Sequence, residues 1–257
     1  MKIVIIGSGN LATHLSIALH GAGEDILQVF SRTLEHAKLL ADHLGCQAIC
    51  SLEEIATNAD AYIIAIKDDA IADVAAQIAP RMKHGVVMHT AGSVPMNVFE
   101  GTAERYGVLY PMQTFSKNRD VDFRSVPCFI EASDSESLKL INALAQSVCD
   151  KVQEVDSSKR KRLHLAAVFA NNFTNHCYRL AERILQEENL DFNLFLPLIE
   201  ETAKKVKDMK PKDAQTGPMV RYDVNIMDQQ MQMLTDERTK EIYRLMADSI
   251  HTDYTQE

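Results

Sequence analysis

The chain has 257 residues, 46% of them hydrophobic and 25% charged, which is the composition of a folded globular protein and excludes a disordered or fibrous one. Acidic residues outnumber basic ones by 36 to 27, so nucleic acid and anionic membrane surfaces are not expected as partners. No apolar run approaches the roughly 18 residues of a membrane span, and the first residues read as a strand rather than a targeting leader. We therefore expect a cytoplasmic protein that acts on a small molecule.

The five cysteines, Cys46, Cys50, Cys128, Cys149 and Cys177, are spread along the chain. They lack the paired spacing with histidine that closes a tetrahedral zinc site, and no metal site is expected. Only Cys46 and Cys50 are close, and both flank a short predicted strand. We expect all five to be reduced.

Short runs rich in Ile and Val alternate with longer amphipathic segments in the first part of the chain. Strands are predicted at residues 2–6, 26–30, 61–66, 86–89, 108–110, 128–131 and 151–155. Helices are predicted at residues 10–20, 34–44, 69–78 and 135–148. Strand alternating with helix at this spacing predicts an α/β domain, residues 1–156, with a mostly parallel sheet and right-handed crossovers.

From residue 157 onward the periodicity is helical only. Helices are predicted at residues 157–189, 191–207, 225–234 and 236–250, with Ser157 available as a cap. An all-helical C-terminal domain, residues 157–257, is therefore expected. On its long first helix, His164, Asn171 and Asn175 share one polar edge, which is either a substrate-facing edge or the solvated side.

The first strand runs directly into a glycine-rich turn, Gly7-Ser8-Gly9-Asn10-Leu11-Ala12. In this Gly-x-Gly-x-x-Ala pattern the first glycine permits a tight turn, the second lets a pyrophosphate approach the backbone, and the alanine lets the helix sit close to the strand. Unpaired N–H groups at the helix start would face the phosphates. The pattern predicts a Rossmann-type dinucleotide site, and its position between the first strand and the first helix supports that interpretation.

The second predicted strand ends in Ser31-Arg32-Thr33, where an NAD site would carry an acidic residue for the ribose 2′-hydroxyl. A guanidinium between two hydroxyl side chains suits a 2′-phosphate, because arginine pairs with phosphate in a bidentate manner. We therefore predict NADP as the cofactor. The alternative is a solvated arginine at a strand end.

Two further strand ends point to the same edge of the sheet. Ile66 and Lys67 follow one strand and are expected to contact the cofactor, whereas the next two residues, both aspartates, more readily cap a helix. His89 and Thr90 end the following strand, near the expected nicotinamide position. His89 is a candidate general acid, although a strand-end histidine is often only hydrogen-bonded packing.

Three segments carry a family resemblance: His89-Thr-Ala-Gly-Ser93, Tyr110-Pro-Met-Gln-Thr-Phe115 and Thr216-Gly-Pro-Met-Val-Arg221-Tyr-Asp223. With the N-terminal motif they resemble bacterial Rossmann proteins labelled as NADP oxidoreductases, whose second half is a domain of unknown function. The resemblance implies a relationship to pyrroline-5-carboxylate reductase, deazaflavin-dependent NADP reductases and the 6-phosphogluconate dehydrogenase superfamily. It also implies a homodimer formed through the helical domain. The family usually has histidine at position 110 and glycine at position 222.

The catalytic candidates combine both domains. Gln113 follows the sixth predicted strand at the mouth of the cleft, and Asn172 is the long-helix residue that the family pattern favours. Arg221 is either a clamp for a substrate carboxylate or phosphate, or one half of a loop ion pair with Asp223. With His89 these residues form the predicted catalytic set.

Two functions of different classes fit the sequence. The first is an NADP-dependent oxidoreductase that transfers hydride between the nicotinamide and a small substrate. The alternative is an NADP-binding sensor or scaffold without redox turnover, because no residue pair has a spacing that obliges acid–base chemistry. Sugar or polyol dehydrogenase chemistry is disfavoured, since the long helix has no Lys-x-x-x-Asn at a suitable depth.

Overall fold

The computed structural model describes residues 1–255 and divides the chain into two compact units, Met1–Asn171 and Asn172–Glu257. The first unit contains the sheet, and the second is helical. The division lies after residue 171 rather than at the expected 156/157 boundary, because the helix at residues 157–167 is counted with the first unit.

All strands belong to one eight-stranded sheet of order β3-β2-β1-β4-β5-β6-β7-β8. The strands are β1 (Lys2–Ile6), β2 (Asp25–Phe30), β3 (Gln47–Ile49), β4 (Ala61–Ile64), β5 (Val86–His89), β6 (Tyr106–Pro111), β7 (Pro127–Ala132) and β8 (Lys151–Glu154). The pairing of β6 with β7 is antiparallel, and the other pairings are parallel. The prediction of a mostly parallel Rossmann-type sheet is confirmed.

The order of the strands places β1 between β2 and β4. The chain leaves β1 toward β2 and β3 and then returns to β4 on the opposite side. This reversal is the topological switch point at which open α/β sheets bind ligands, outside the carboxyl ends of the strands.

Residues of β1 alternate between two apolar cores, one on each face of the sheet. Ile3 and Ile5 belong to the larger core, whereas Val4 and Ile6 belong to the second. The helices α1 (Asn10–Gly21), α2 (Leu34–Leu44) and α4 (Ser135–Val148) cover the larger core. The helix α3 (Ile71–Ile78) covers the second core together with the short turn of 3₁₀ helix that contains Phe99.

The predicted long helix after residue 157 is interrupted. It consists of α5 (Ser157–Ala167), a π-helical segment (Val168–Phe173) and α6 (Thr174–Glu187). The π segment contains Asn171 and Asn172, and asparagine has a low propensity for the interior of an α-helix. Such wide turns occur often at functional sites.

Four α-helices follow in the described part of the second unit. They are α7 (Leu196–Asp208), α8 (Pro211–Ala214), α9 (Val224–Met233) and α10 (Glu237–Thr255). Three of them correspond to predicted helices, with bounds that differ by up to five residues, and the short α8 was not predicted. Asp223 caps α9 by accepting a hydrogen bond from the backbone N–H of Ile226. Tyr222 adopts a left-handed conformation with φ of 52°, and its ring stacks on His251.

Candidate functional site

The turn after β1 requires glycine at its first position. Gly7 has φ of +128°, and its N–H donates to the carbonyl of Phe30 at 2.8 Å. A Cβ at this position would lie 2.2 Å from the carbonyl oxygen of Ala65, at the end of the neighbouring strand β4. A larger residue would therefore displace the strand ends that form the switch point.

Gly9 meets a different requirement. It is the N-cap of α1 with φ of −74°, which any residue adopts, and a Cβ there would meet no atom within 4 Å. The space beside Gly9 is open, and no side chain caps the helix start. Backbone N–H groups of the first turn of α1 therefore remain available to an anion in that space.

A cleft of about 1030 Å³ lies at this edge of the sheet. Its walls are the turn after β1, the end of β2 and the segments after β4 and β5. All eleven residues predicted to bind the cofactor line it: Gly7, Ser8, Gly9, Asn10, Leu11, Ser31, Arg32, Thr33, Ile66, Lys67 and Thr90. The hydroxyl of Ser8 donates to that of Ser31 at 2.9 Å and joins the turn to the end of β2.

Three titratable side chains of the cleft, His36, Asp73 and Lys117, were missed by the sequence analysis. His36 lies one turn into α2, three residues after the N-cap Thr33. Because residues three apart on a helix are neighbours, this spacing could have identified His36 from the sequence. Lys117 comes from the loop after β6, and no local pattern indicates that this loop reaches the cleft. Lys117 adds a further cation to the lining, and His36 follows Arg32 along the chain.

The loop that carries Lys117 is fixed to helix α1. The side-chain amide of Asn10 donates to the carbonyl of Phe115 at 2.8 Å, and Nε2 of His14 donates to the carbonyl of Ser116 at 2.9 Å. The rings of His14 and Phe115 also stack, with centroids 5.7 Å apart. Asn10 therefore both lines the cleft and holds one of its walls.

His89 is buried and does not line the cleft, although the next two residues do. Its Nδ1 accepts a hydrogen bond from the N–H of Ala91 at 3.1 Å, and its ring stacks on Phe99. Burial, with a smaller contribution from the nearby Arg160, lowers the pKa of His89 to about 3. A neutral imidazole packed in this way fits the packing interpretation better than the role of a general acid.

Behind His89 lies a buried ion pair between Glu131 of β7 and Arg160 of α5. Arg160 also donates to the carbonyl of Val94 at 2.6 Å, and Glu131 accepts from the N–H and hydroxyl of Ser157. The ion pair thus ties the start of α5 to the sheet and to the segment after β5. Nothing in the local sequence identifies Arg160 as the partner of a residue 29 positions away.

Tyr110 and His164 form a hydrogen bond of 3.1 Å between the phenol oxygen and Nδ1. Both pack on Gly92, where a Cβ would lie 2.7 Å from His164 Nδ1 and from Tyr110 Cζ. Gly92 directly follows Ala91 of the cleft wall. The next residue, Ser93, donates its hydroxyl proton to Asp68, which also lines the cleft.

The other catalytic candidates lie elsewhere. Gln113 is exposed, and its side-chain oxygen accepts a hydrogen bond from the neighbouring N–H of Thr114. Asn172 and Arg221 belong to the second unit, and both are exposed. Within residues 1–255 no ion pair joins Arg221 to Asp223, which caps helix α9 instead.

The cysteines are all free, and Cys128 and Cys149 are buried side by side. Burial raises the pKa of the Cys46 thiol to about 11, so this thiol is unreactive at neutral pH.

No group of three or more His, Cys, Asp or Glu in the described part of the chain is arranged to hold a metal ion. No helix among residues 1–255 is both long and apolar enough to cross a bilayer.

Comparison with known proteins gives two family matches. Residues 2–92 match the family described as NADP oxidoreductase, coenzyme F420-dependent, and residues 126–250 match a domain of unknown function, DUF2520. No match was found among curated proteins.

Solved structures extend these matches over the whole chain. A candidate NADP oxidoreductase from Bacteroides fragilis is 47% identical, with 98% of each chain covered and a TM-score of 0.93. An imine reductase from Myxococcus stipitatus in complex with NADP⁺ is 15% identical, with 98% of this chain and 92% of that chain covered and a TM-score of 0.67. A pyrroline-5-carboxylate reductase from Coxiella burnetii is 18% identical, with 99% and 97% covered and a TM-score of 0.61. The last two show the fold alone.

Proposed function

Because this chain belongs to the NADP oxidoreductase family whose second half is the domain DUF2520, we propose that it transfers hydride between NADP and a small-molecule substrate. The observation that carries the proposal is the cleft at the switch point. It is lined by residues 7–11 of the glycine-rich turn and by Ser31-Arg32-Thr33. The substrate is not identified by any residue pattern in the cleft.

The residues of the cleft fit a dinucleotide. The open space beside Gly9, where a Cβ would meet nothing, is suited to a diphosphate held by the N–H groups of Gly9, Asn10 and Leu11. The fixed loop of Phe115 and Ser116 places Lys117 in the same lining. Lys117 would add a positive charge near the phosphates of the dinucleotide.

The end of β2 fits the 2′-phosphate of NADP. Arg32 and Thr33 are exposed and line the cleft, and His36 lines it one turn further along α2. No carboxylate takes the place that would bind a ribose 2′-hydroxyl, since β2 ends in Phe30 and is followed by Ser31. At this position Arg32 would contribute charge-assisted hydrogen bonds to the 2′-phosphate.

When bound, NADPH would supply the hydride to a substrate carbon, and in the reverse direction NADP⁺ would accept one. The protein orients the coenzyme by backbone N–H groups, and Thr90 and Ala91 form the wall at the ends of β4 and β5. Asp68 and Asp69 also line the cleft, so its lining contains carboxylates as well as cations. Such a site accelerates the reaction by orienting the two reactants and by excluding water.

The second unit supplies the remaining part of the proposal. Asn172 in the π-helical segment and Arg221 beside the cap of α9 are proposed to contact the substrate, and Gln113 to orient it from the first unit.

Large apolar side chains of the second unit are exposed, among them Leu194, Leu198, Met233 and Leu245. Exposure on this scale supports a homodimer formed through the helical domain, which light scattering of the purified protein will test.

The test of cofactor choice uses titration of NADPH and NADH by fluorescence. We expect NADPH to bind at least tenfold more tightly, and Arg32→Ala to weaken NADPH about 10- to 100-fold without changing NADH, because charge-assisted hydrogen bonds to the phosphate are lost. Lys38→Ala is the matched control, since Lys38 is an exposed cation of α2 outside the cleft lining. Equal affinities for the two coenzymes would contradict the proposal.

The test of turnover uses a panel of imines, small 2-keto acids and deazaflavins, with NADPH oxidation as the readout. The family match to coenzyme F420-dependent enzymes places deazaflavins first in the panel. Oxidation of NADPH by one member is the expected result. Tight NADPH binding without oxidation by any member would instead support a sensor or scaffold.

A further inference from the structure

The hydrogen-bonded pair of Tyr110 and His164 joins two elements that are far apart in sequence. Tyr110 is the fifth residue of β6 and is 8% exposed, whereas His164 lies on α5 and is half-buried. The ring of His164 meets that of Tyr110 edge-on, with centroids 6.1 Å apart. Gly92 leaves the room for this contact beside the cleft wall.

We propose that His164 is the proton donor of the reaction and that Tyr110 positions its ring, an inference that rests on the proposed NADP-dependent function. Nδ1 of His164 is occupied by Tyr110, which leaves Nε2 to exchange a proton with the substrate. The pair adjoins Ala91 and Gly92, which follow the strand at the nicotinamide end of the cleft.

The phenol hydroxyl suits a positioning role because it both donates and accepts hydrogen bonds. It accepts from Nδ1–H of the imidazolium and also from Nδ1–H of the neutral imidazole that remains after Nε2 has released its proton, and it can donate to Nδ1 of the other neutral tautomer. The ring of His164 therefore stays in place before and after it loses its proton. Phenylalanine at position 110 would preserve the packing on Phe129 and remove this support.

The surroundings keep Tyr110 protonated. Burial raises the pKa of Tyr110, Asp68 raises it further, and Arg160 opposes both. A phenol with a raised pKa remains a neutral hydrogen-bond partner at physiological pH. These groups, together with His164 itself, are the charged and titratable side chains that face the pair.

The second histidine of this region is less suited to donate the proton. Nδ1 of His89 accepts from the N–H of Ala91, and the residue is buried outside the cleft lining. Its Nε2 is buried without a partner in the described structure. His164 does not line the cleft either, but it differs from His89 in being only half-buried, beside Gly92.

In the proposed step, hydride transfer from NADPH is accompanied by proton transfer from His164. In the reducing direction the carbon of a substrate C=O or C=N bond accepts hydride from NADPH, and the π-electron pair moves onto the oxygen or nitrogen. That atom takes the proton from Nε2 of the His164 imidazolium, which becomes a neutral imidazole. NADPH is the two-electron reductant, and solvent returns the proton to His164.

The kinetic test uses three single variants and the panel member that oxidises NADPH fastest. His164→Gln keeps an N–H donor but cannot release its proton, so kcat should fall about 100-fold or more. Tyr110→Phe should lower kcat about tenfold. Tyr106→Phe is the matched control, because Tyr106 lies on the same strand and has no hydrogen bond to His164. The fall of kcat/KM at high pH should be present in the wild type and absent in His164→Gln.

A second readout does not depend on turnover. The ring ¹⁵N signals of His164 in the NADP⁺ complex should report one fixed tautomer, and Tyr110→Phe should abolish that preference while Tyr106→Phe preserves it. Unchanged signals in Tyr110→Phe, or wild-type kcat in His164→Gln, would overturn the inference. NADPH affinity and oxidation by the wild type, measured in parallel, separate the two proposals. Loss of the proton donor affects only the variants, whereas failure of the proposed function shows in the wild type, as no coenzyme binding or as no oxidation of NADPH by any panel member.

Discussion

The two ends of the cleft are built in different ways. The phosphate end, Gly7–Leu11 with Ser31–Thr33, consists of backbone N–H groups and of half-buried or exposed side chains. The opposite end is backed by the buried residues Arg160, Tyr110 and His89 and by the partly buried Glu131. Arg160 pairs with Glu131, Tyr110 with His164, and His89 with a backbone N–H. Changes at the open positions of the phosphate end, Gly9 and Arg32, should therefore alter ligand binding alone, whereas changes at the tightly packed Gly7 or at the opposite end should alter stability as well.

The largest effect is expected at Arg160. Arg160→Met leaves the carboxylate of Glu131 partly buried without its cation, which should cost about 3–5 kcal/mol of unfolding free energy. Chemical denaturation measures this loss. The matched control is Arg124→Met, because the Arg124–Asp150 pair is 3.5 Å long and exposed at the surface, where about 1 kcal/mol or less is at stake. Similar losses of unfolding free energy in the two variants would contradict the role given to the Glu131–Arg160 pair in holding the opposite end of the cleft.

A smaller effect is expected at Gly9, where a substitution should change the affinity for NADPH and leave stability unchanged. Gly9→Ala meets no protein atom and has an allowed backbone, so its melting temperature should match the wild type. The added methyl group occupies the space proposed for the diphosphate, and NADPH should bind about 100-fold more weakly. Gly7→Ala is the counterpart, because its Cβ collides with Ala65 and should lower the melting temperature. NADPH binding by Gly9→Ala at wild-type strength would exclude the diphosphate from this position.

The contribution of His89 should appear as a pH dependence of stability. Burial and Arg160 lower the pKa of His89 to about 3 in the folded protein, so only the unfolded chain takes up this proton between about pH 6 and pH 4. Stability that is present at neutral pH is thus lost as the pH falls, by up to about 1.4 kcal/mol per pH unit. His89→Gln should show a shallower loss over this range in urea denaturation, and His43→Gln, at an exposed site, should retain the wild-type slope.

The smallest effect is expected at Lys117. This exposed lysine makes a single-charge contribution at the cleft, so Lys117→Ala should weaken NADPH only a few-fold, and less at high salt. Arg119→Ala, in the same loop and outside the cleft lining, should have no effect. A loss in Lys117→Ala as large as that in Arg32→Ala would place the lysine on the 2′-phosphate itself.

The phosphate end could be predicted from the sequence because its geometry is local. Gly7, Gly9 and Ala12 lie within six residues of one another, and Arg32 follows the next strand, so spacing alone brings them to one edge. The strands, the helices and the change to an all-helical second half followed from periodicity in the same way. The family resemblance, given by three short segments, is confirmed by the matches over the whole chain.

The opposite end could not be predicted because its contacts are distant in sequence. Arg160 pairs across 29 residues, and His164 meets Tyr110 across 54. Lys117, which we propose near the phosphates, was missed for the same reason, because its loop is held by contacts of Asn10 and His14 across more than 100 residues. The π-helical segment was predicted as ordinary helix, since the apolar stripe continues through it. The roles of Gln113, Asn172 and Arg221 remain predictions.

The position of the diphosphate in crystals of the NADP⁺ complex tests the central claim most directly. The account predicts diphosphate oxygens within about 3 Å of the N–H groups at Gly9, Asn10 and Leu11, with the 2′-phosphate against the Arg32 guanidinium. A dinucleotide bound elsewhere on the chain, or a 2′-phosphate that points away from Arg32 into solvent, would contradict it.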